Sequence, residues 1–143
     1  MGAVWAKSQI PAETVQALSK ETFTAASLEA MKIYAHAQDL VKAGKEDEAI
    51  KEYQKALEIK SDYARGYFNI GNLYCQKGNL DEAIASFQKA LEIYPKYGEA
   101  HYHLALIYFE NQKLDLAIQH TDEAARLGIV VDPTVLMRLK PYR

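Results

Sequence analysis

The chain has 143 residues, 49% of them hydrophobic and 25% charged, with a formal net charge of −2. That is the make-up of one ordinary soluble domain with a moderate core, and the slight negative charge argues against the broad basic surface that phosphate binding requires. No apolar run approaches the roughly 20 residues needed to cross a bilayer, and the single cysteine, Cys75, excludes a disulfide within the chain and leans the expected compartment toward the cytosol.

In chain order, residues 1–29 come first and fit no repeat. "VWA", Val4 to Ala6, offers small residues of the kind that precede a signal cleavage site, so export is the alternative compartment. The charged and apolar parts of such a signal are missing. The stretch from Pro11 to Ala30 is helix-permissive, with Val15, Leu18 and Phe23 as contacts, and is expected to be an arm or a capping helix.

A periodicity then takes over. "DEAIKEYQKALEI" starts at Asp47, "DEAIASFQKALEI" at Asp81 and the fainter "DLAIQHTDEAARL" at Asp115, at a constant interval of 34 residues. Three copies in one frame mean a structural repeat, and they divide the chain into units 30–63, 64–97 and 98–131. Each unit holds two helical stripes around a short turn. In the second unit these run roughly Arg65–Lys77, with Ile70, Leu73 and Tyr74 as its apolar positions, and Asp81–Tyr94, with Ala83, Ile84, Phe87, Ala90 and Leu91. Gly44, and Gly78 with Asn79, supply turns that tolerate positive φ. Gln112 stands where the third unit wants glycine, which predicts a strained or altered turn. Gly128 suits a helix C-terminus.

Small residues recur at the same interval: Ala37, Gly71 and Ala105; Ala49, Ala83 and Ala117; Ala56, Ala90 and Ala124. They mark close helix approach. Tyr53, Phe87 and Thr121 form a large column in which Thr121 is undersized, so looser packing or a filling element is expected there. After Val131, Asp132 suits an N-cap and Pro133 a first helical position. A helix over 133–140 is expected to cover the last unit with Val135, Leu136 and Leu139, leaving Arg138, Lys140 and Arg143 in solvent.

Tyr67, Ile70, Gly71, Tyr74, Ala83, Phe87, Ala90 and Pro95 of the second unit together resemble the tetratricopeptide repeat family, and the resemblance covers 102 of 143 residues. It implies an all-α, right-handed superhelical solenoid of antiparallel helix pairs with terminal caps. The physics agrees: one helix pair cannot bury its apolar face alone.

No catalytic constellation is present: no Gly-rich phosphate loop, no GxSxG, no HExxH. His101 and His103 point in different directions on a helix, and neither has an evident partner for a metal. The expectation is a non-enzymatic module without cofactor, metal, nucleic acid or membrane span. The resemblance implies a concave face lined by the first helix of each unit, along which Tyr34, Phe68 and Tyr102, then Asn69 with His103, then Gln38, Asn72 and Leu106 fall in ladders. Arg65 lies at one edge and Phe109 further along. Aromatic rings beside amides suit capture of a peptide or partner protein of unspecified identity. The alternative is a structural subunit that forms homo-oligomers through its repeat surfaces or N-terminal arm. Relatives that clamp acidic chaperone tails use basic and amide residues. At the matching positions this chain has Tyr34, Gln38, Asn69, Glu99 and His103, of which Asn69 alone matches.

Overall fold

The computed structural model describes residues 24–143. The expected N-terminal arm or cap, up to residue 23, and the export-signal alternative lie outside the described residues. Among the described residues there is no strand; the elements are seven α-helices and a closing 3₁₀ turn, Lys140–Tyr142. They are α1 (Ala25–Lys42), α2 (Glu46–Ile59), α3 (Ala64–Gln76), α4 (Leu80–Ile93), α5 (Gly98–Glu110), α6 (Leu114–Arg126) and α7 (Pro133–Leu139).

The chain divides into two compact units between Ser61 and Asp62. In the first, α1 and α2 pack as a pair. In the second, α3 pairs with α4 and α5 with α6, and α4 also packs on α5. Helix α1 begins five residues before the 34-residue frame does. The reason is a local cap: the Thr24 hydroxyl accepts from the Ser27 backbone N–H at 3.1 Å, which satisfies a donor that the helix start leaves open.

Four helix ends close in one way. After α1, Gly44 N–H donates to Val41 O and Lys45 N–H to Leu40 O; after α3, Gly78 donates to Cys75 and Asn79 to Tyr74; after α5, Gln112 donates to Phe109 and Lys113 to Tyr108; after α6, Gly128 donates to Ala125 and Ile129 to Ala124. The closure needs a left-handed residue. Gly44, Gly78 and Gly128 take φ of 76°, 79° and 92°, and Gln112 takes the same conformation at 64°. The expected altered turn is therefore the standard turn, made by a residue with a Cβ. Asn79 does not share the left-handed role expected of it: its φ is −85°, because one residue suffices.

The small columns sit where helices meet. Ala37, Ala49, Ala83, Ala90, Ala117 and Ala124 have no exposure, and neither has Phe87. Thr121 is also fully buried, and its hydroxyl donates to the Ala117 carbonyl at 2.7 Å. Helix α7 starts as its sequence suggests: Asp132 accepts from Thr134 N–H at 2.8 Å and Pro133 follows it. Leu139 is fully buried in a cluster with Phe87, Leu104, Ile107 and Tyr108, and Val135 packs against that cluster. Leu136 departs from the expected stripe and is 41% exposed. Positions 135 and 139 share a face one turn apart, while 136 lies about 100° round the helix.

The expected solvated basic face is present, since Arg138, Lys140 and Arg143 are all exposed, and two of them make surface contacts. The Arg138 guanidinium lies 4.5 Å over the Phe109 ring, and Arg143 grips Asp122 through two hydrogen bonds, of 2.6 and 3.1 Å.

Candidate functional site

The ladder residues lie on α1, α3 and α5. Tyr34 and Gln38 belong to the first unit. There Tyr34 packs edge-on to Tyr53, with ring centroids 5.0 Å apart, and Gln38 is exposed.

In the second unit α3 contributes Arg65, Phe68, Asn69 and Asn72, and α5 contributes Tyr102, His103, Leu106 and Phe109. Phe68 is the hub that brings the two helices together. Its ring lies 5.6 Å from Phe87, 4.8 Å from Tyr97 and 5.4 Å from His103. His103 stacks on Phe87 at 5.3 Å with only 9° between the ring planes. A fully buried phenyl ring thus holds both residues from beneath. Burial pushes the His103 imidazole below its ordinary range, against the opposing pull of the Glu99 carboxylate. The side chain is therefore a neutral aromatic surface at pH 7.

Around this hub, Asn69, Asn72 and Leu106 are half-buried, and Arg65 is exposed. Asn72 makes no side-chain hydrogen bond among the described residues, so its amide is available to a ligand backbone. Cys75, one turn on, is half-buried; burial first, then the Glu110 carboxylate, push its thiol up, which makes it a poor nucleophile.

At the far end of the face two ladder residues meet the C-terminal segment. The Tyr102 hydroxyl accepts from the Asp132 backbone N–H at 3.3 Å, and Arg138 covers Phe109. Sequence reasoning gave these two residues to a ligand; the structure gives them contacts with the C-terminal segment. The signal was present in the chain, since Leu136 falls 34 residues after Tyr102 and Leu139 falls 34 after Ala105. Helix α7 carries the repeat register onward.

A second constellation was missed altogether. His101 Nδ1 lies 3.0 Å from His120 Nδ1, and His101 Nε2 lies 3.0 Å from the Pro95 carbonyl. The contact between the two rings cannot be read from spacing, because it depends on how α5 and α6 face each other. Among the described residues no group of three or more His, Cys, Asp or Glu is arranged to hold a metal.

Comparison with known proteins follows the same lines. A family model described as TPR repeat matches residues 37–78 and 71–112, and a tetratricopeptide repeat model matches 98–127. The chain belongs to the tetratricopeptide repeat family. Its all-α helix-pair architecture is that of the family, whose repeats in general serve as scaffolds for protein–protein interaction. Among solved structures, the crystal structure of MamA is similar in fold, with a TM-score of 0.66 and 24% identity over 68% of this chain. The match spans 57% of the MamA chain. A comparison with curated proteins returned no match. No helix among the described residues is long and apolar enough to cross a membrane.

Proposed function

We propose that the α3–α5 face of the second unit binds an extended peptide segment of a partner protein, centred on Phe68, Asn69, Asn72, His103 and Leu106. The observation that carries this reading is the support beneath Phe68 and His103. Both rings rest on buried Phe87, so their outer surfaces are held rigid before any ligand arrives. A preorganised aromatic surface loses little freedom on binding, and the neighbouring amides pair with a peptide backbone.

The charges limit the partner. Glu99 stands where relatives that clamp acidic tails have a base, and neutral His103 adds no positive charge. A mixed or weakly charged segment fits this face; a run of carboxylates does not.

The test uses peptides selected from a display library against the full chain. Asn72→Ala and Leu106→Ala each remove a ligand contact without touching the ring stack. Each is expected to weaken binding by about 1–2 kcal/mol, read by calorimetry, with the helical signal unchanged. Affinity that survives both changes rejects this face. Phe68→Ala is a poor probe, because it also strips packing from Phe87.

Self-assembly is a second reading with one observation in its favour. Val130, Met137 and Tyr142 near the C-terminal helix are 91%, 71% and 56% exposed. Light scattering across a concentration series separates the two readings: peptide capture by a monomer, or a mass that grows with concentration.

A further inference from the structure

We propose that the contact between His101 and His120 is an acid-released latch, which fastens the turn carrying Tyr97 to helix α6 at neutral pH and releases it once both imidazoles are charged. Its two anchors are close: the Nδ1 atoms lie 3.0 Å apart, and His101 Nε2 lies 3.0 Å from the Pro95 carbonyl oxygen. The His101 backbone N–H also donates to Tyr97 O at 3.2 Å. One residue therefore holds the turn 94–97 twice, and its ring ties that turn to α6.

Proton counting gives the switch its direction. A carbonyl oxygen only accepts, so neutral His101 carries its proton on Nε2 and offers a lone pair at Nδ1. His120 Nδ1–H donates to that lone pair. A first added proton makes one ring an imidazolium and leaves a single hydrogen between the two Nδ1 atoms, so the contact survives as a charge-assisted hydrogen bond. A second proton puts an N–H on each Nδ1. Neither nitrogen then accepts, two donors face each other at 3.0 Å, and two positive charges repel.

The surroundings hold back that second proton. Burial first, then the charge of His101, keep His120 below its ordinary value, with Glu123 pulling the other way. From α6, Glu123 interacts with both rings, but Arg126 holds its carboxylate at 3.0 Å, and the neighbouring Asp122 is held by Arg143. From α5, Tyr108 stacks on His120 at 5.5 Å. From α4, Gln88 donates to the Tyr108 hydroxyl, while Lys89 and Glu92 pair with each other at 3.3 Å. Lys96 of the turn is exposed. An imidazole depressed in the folded chain adds stability above its unfolded value, about pH 6.5, and that stability is lost as the pH falls through the folded value. The latch is closed at neutral pH and opens on acidification.

The latch reaches the face proposed for peptide binding. Tyr97 stacks on Phe68 at 4.8 Å with 25° between the planes, so a loosened turn loosens a neighbour of the hub. That consequence rests on the peptide reading; the latch itself does not. Nor is the pair a by-product of the repeat. The residues 34 positions earlier are Tyr67 and Ser86, and those 34 earlier again are Ile33 and Glu52. Repeat packing is met without histidine at either place.

The competing account is two histidines that titrate separately and leave the turn where it is. Imidazole ¹⁵N spectra of the full chain, without any peptide, are recorded from about pH 8 to about pH 4.5, together with the Tyr97 ring signals. Both rings are expected to titrate in the same two steps, about one pH unit or more apart, and the Tyr97 signals to move with the step at lower pH. His120→Gln is expected to leave His101 with a single step and Tyr97 without its acid shift, whereas His36→Asn changes neither. Independent single steps in the two wild-type rings overturn the proposal, as do Tyr97 signals that stay still, that track His103, or that keep their acid shift in His120→Gln. Should that variant misfold, the wild-type spectra decide alone, since shared or separate steps are read without it.

Discussion

A methyl group at Gly71 would stand 2.7 Å from the Phe87 ring, and that single distance explains why the small column carries its glycine in the second unit. The third unit combines Ala105 with the smaller Thr121 at the same two positions, so volume is traded between columns. Gly71→Ala is expected to destabilise the chain. Helix propensity favours alanine by about 0.5–1 kcal/mol, but overpacking against a side chain with no exposure costs about 1–3 kcal/mol, and the clash wins. A denaturation midpoint that rises would refute the close approach. Gln112 presents the opposite case. Its φ of 64° strains a side-chain-bearing residue by about 1 kcal/mol, so Gln112→Gly should raise the melting temperature by a few degrees. No gain would mean that the turn relaxes elsewhere.

At the scale of elements, the repeat was legible because its information is local. Periodicity, turn glycines and Asp-Pro starts each act within a few residues, and α3 and α4, the helices of the repeat 64–97, fall within one residue of their expected bounds. The start of α1 at Ala25 was missed because the frame hid a separate cap at Thr24. The basic side of the C-terminal segment is exposed as expected, but its contacts were not legible: Arg138 and Arg143 find Phe109 and Asp122, partners from other helices that spacing does not reveal. The His101–His120 pair escaped for the same reason. Helix α7 also makes a prediction. It buries Leu139 completely, a side chain worth about 1.5–3 kcal/mol, and adds the Arg138–Phe109 contact at about 0.5–1 kcal/mol. Removing residues 133–143 is therefore expected to lower the melting temperature by several degrees, and Leu139→Ala to account for most of that loss. An unchanged midpoint in the truncated chain would make the segment a tail that covers nothing.

For the molecule as a whole, the family and the helix-pair fold follow from sequence, structure and comparison together, whereas the ligand face rests on a physical argument. The ladders pointed to ten residues, and the structure sorts them. Phe68 and His103 are supported by rings beneath them, Asn69, Asn72 and Leu106 flank that hub, and Tyr102 and Phe109 contact the C-terminal segment. Such sorting is invisible in a single chain, since family-average positions say where a groove runs and not which stretch of it is open. The central claim is that partner binding uses the α3–α5 face around Phe68. An amide ¹H–¹⁵N map of the full chain, recorded with and without a selected peptide, tests it most directly. The account predicts that the largest shifts cluster at Asn69, Asn72, His103 and Leu106 and that Lys89, Glu92 and Gln119 on the second helices stay still; shifts concentrated on α4 and α6 instead would contradict it.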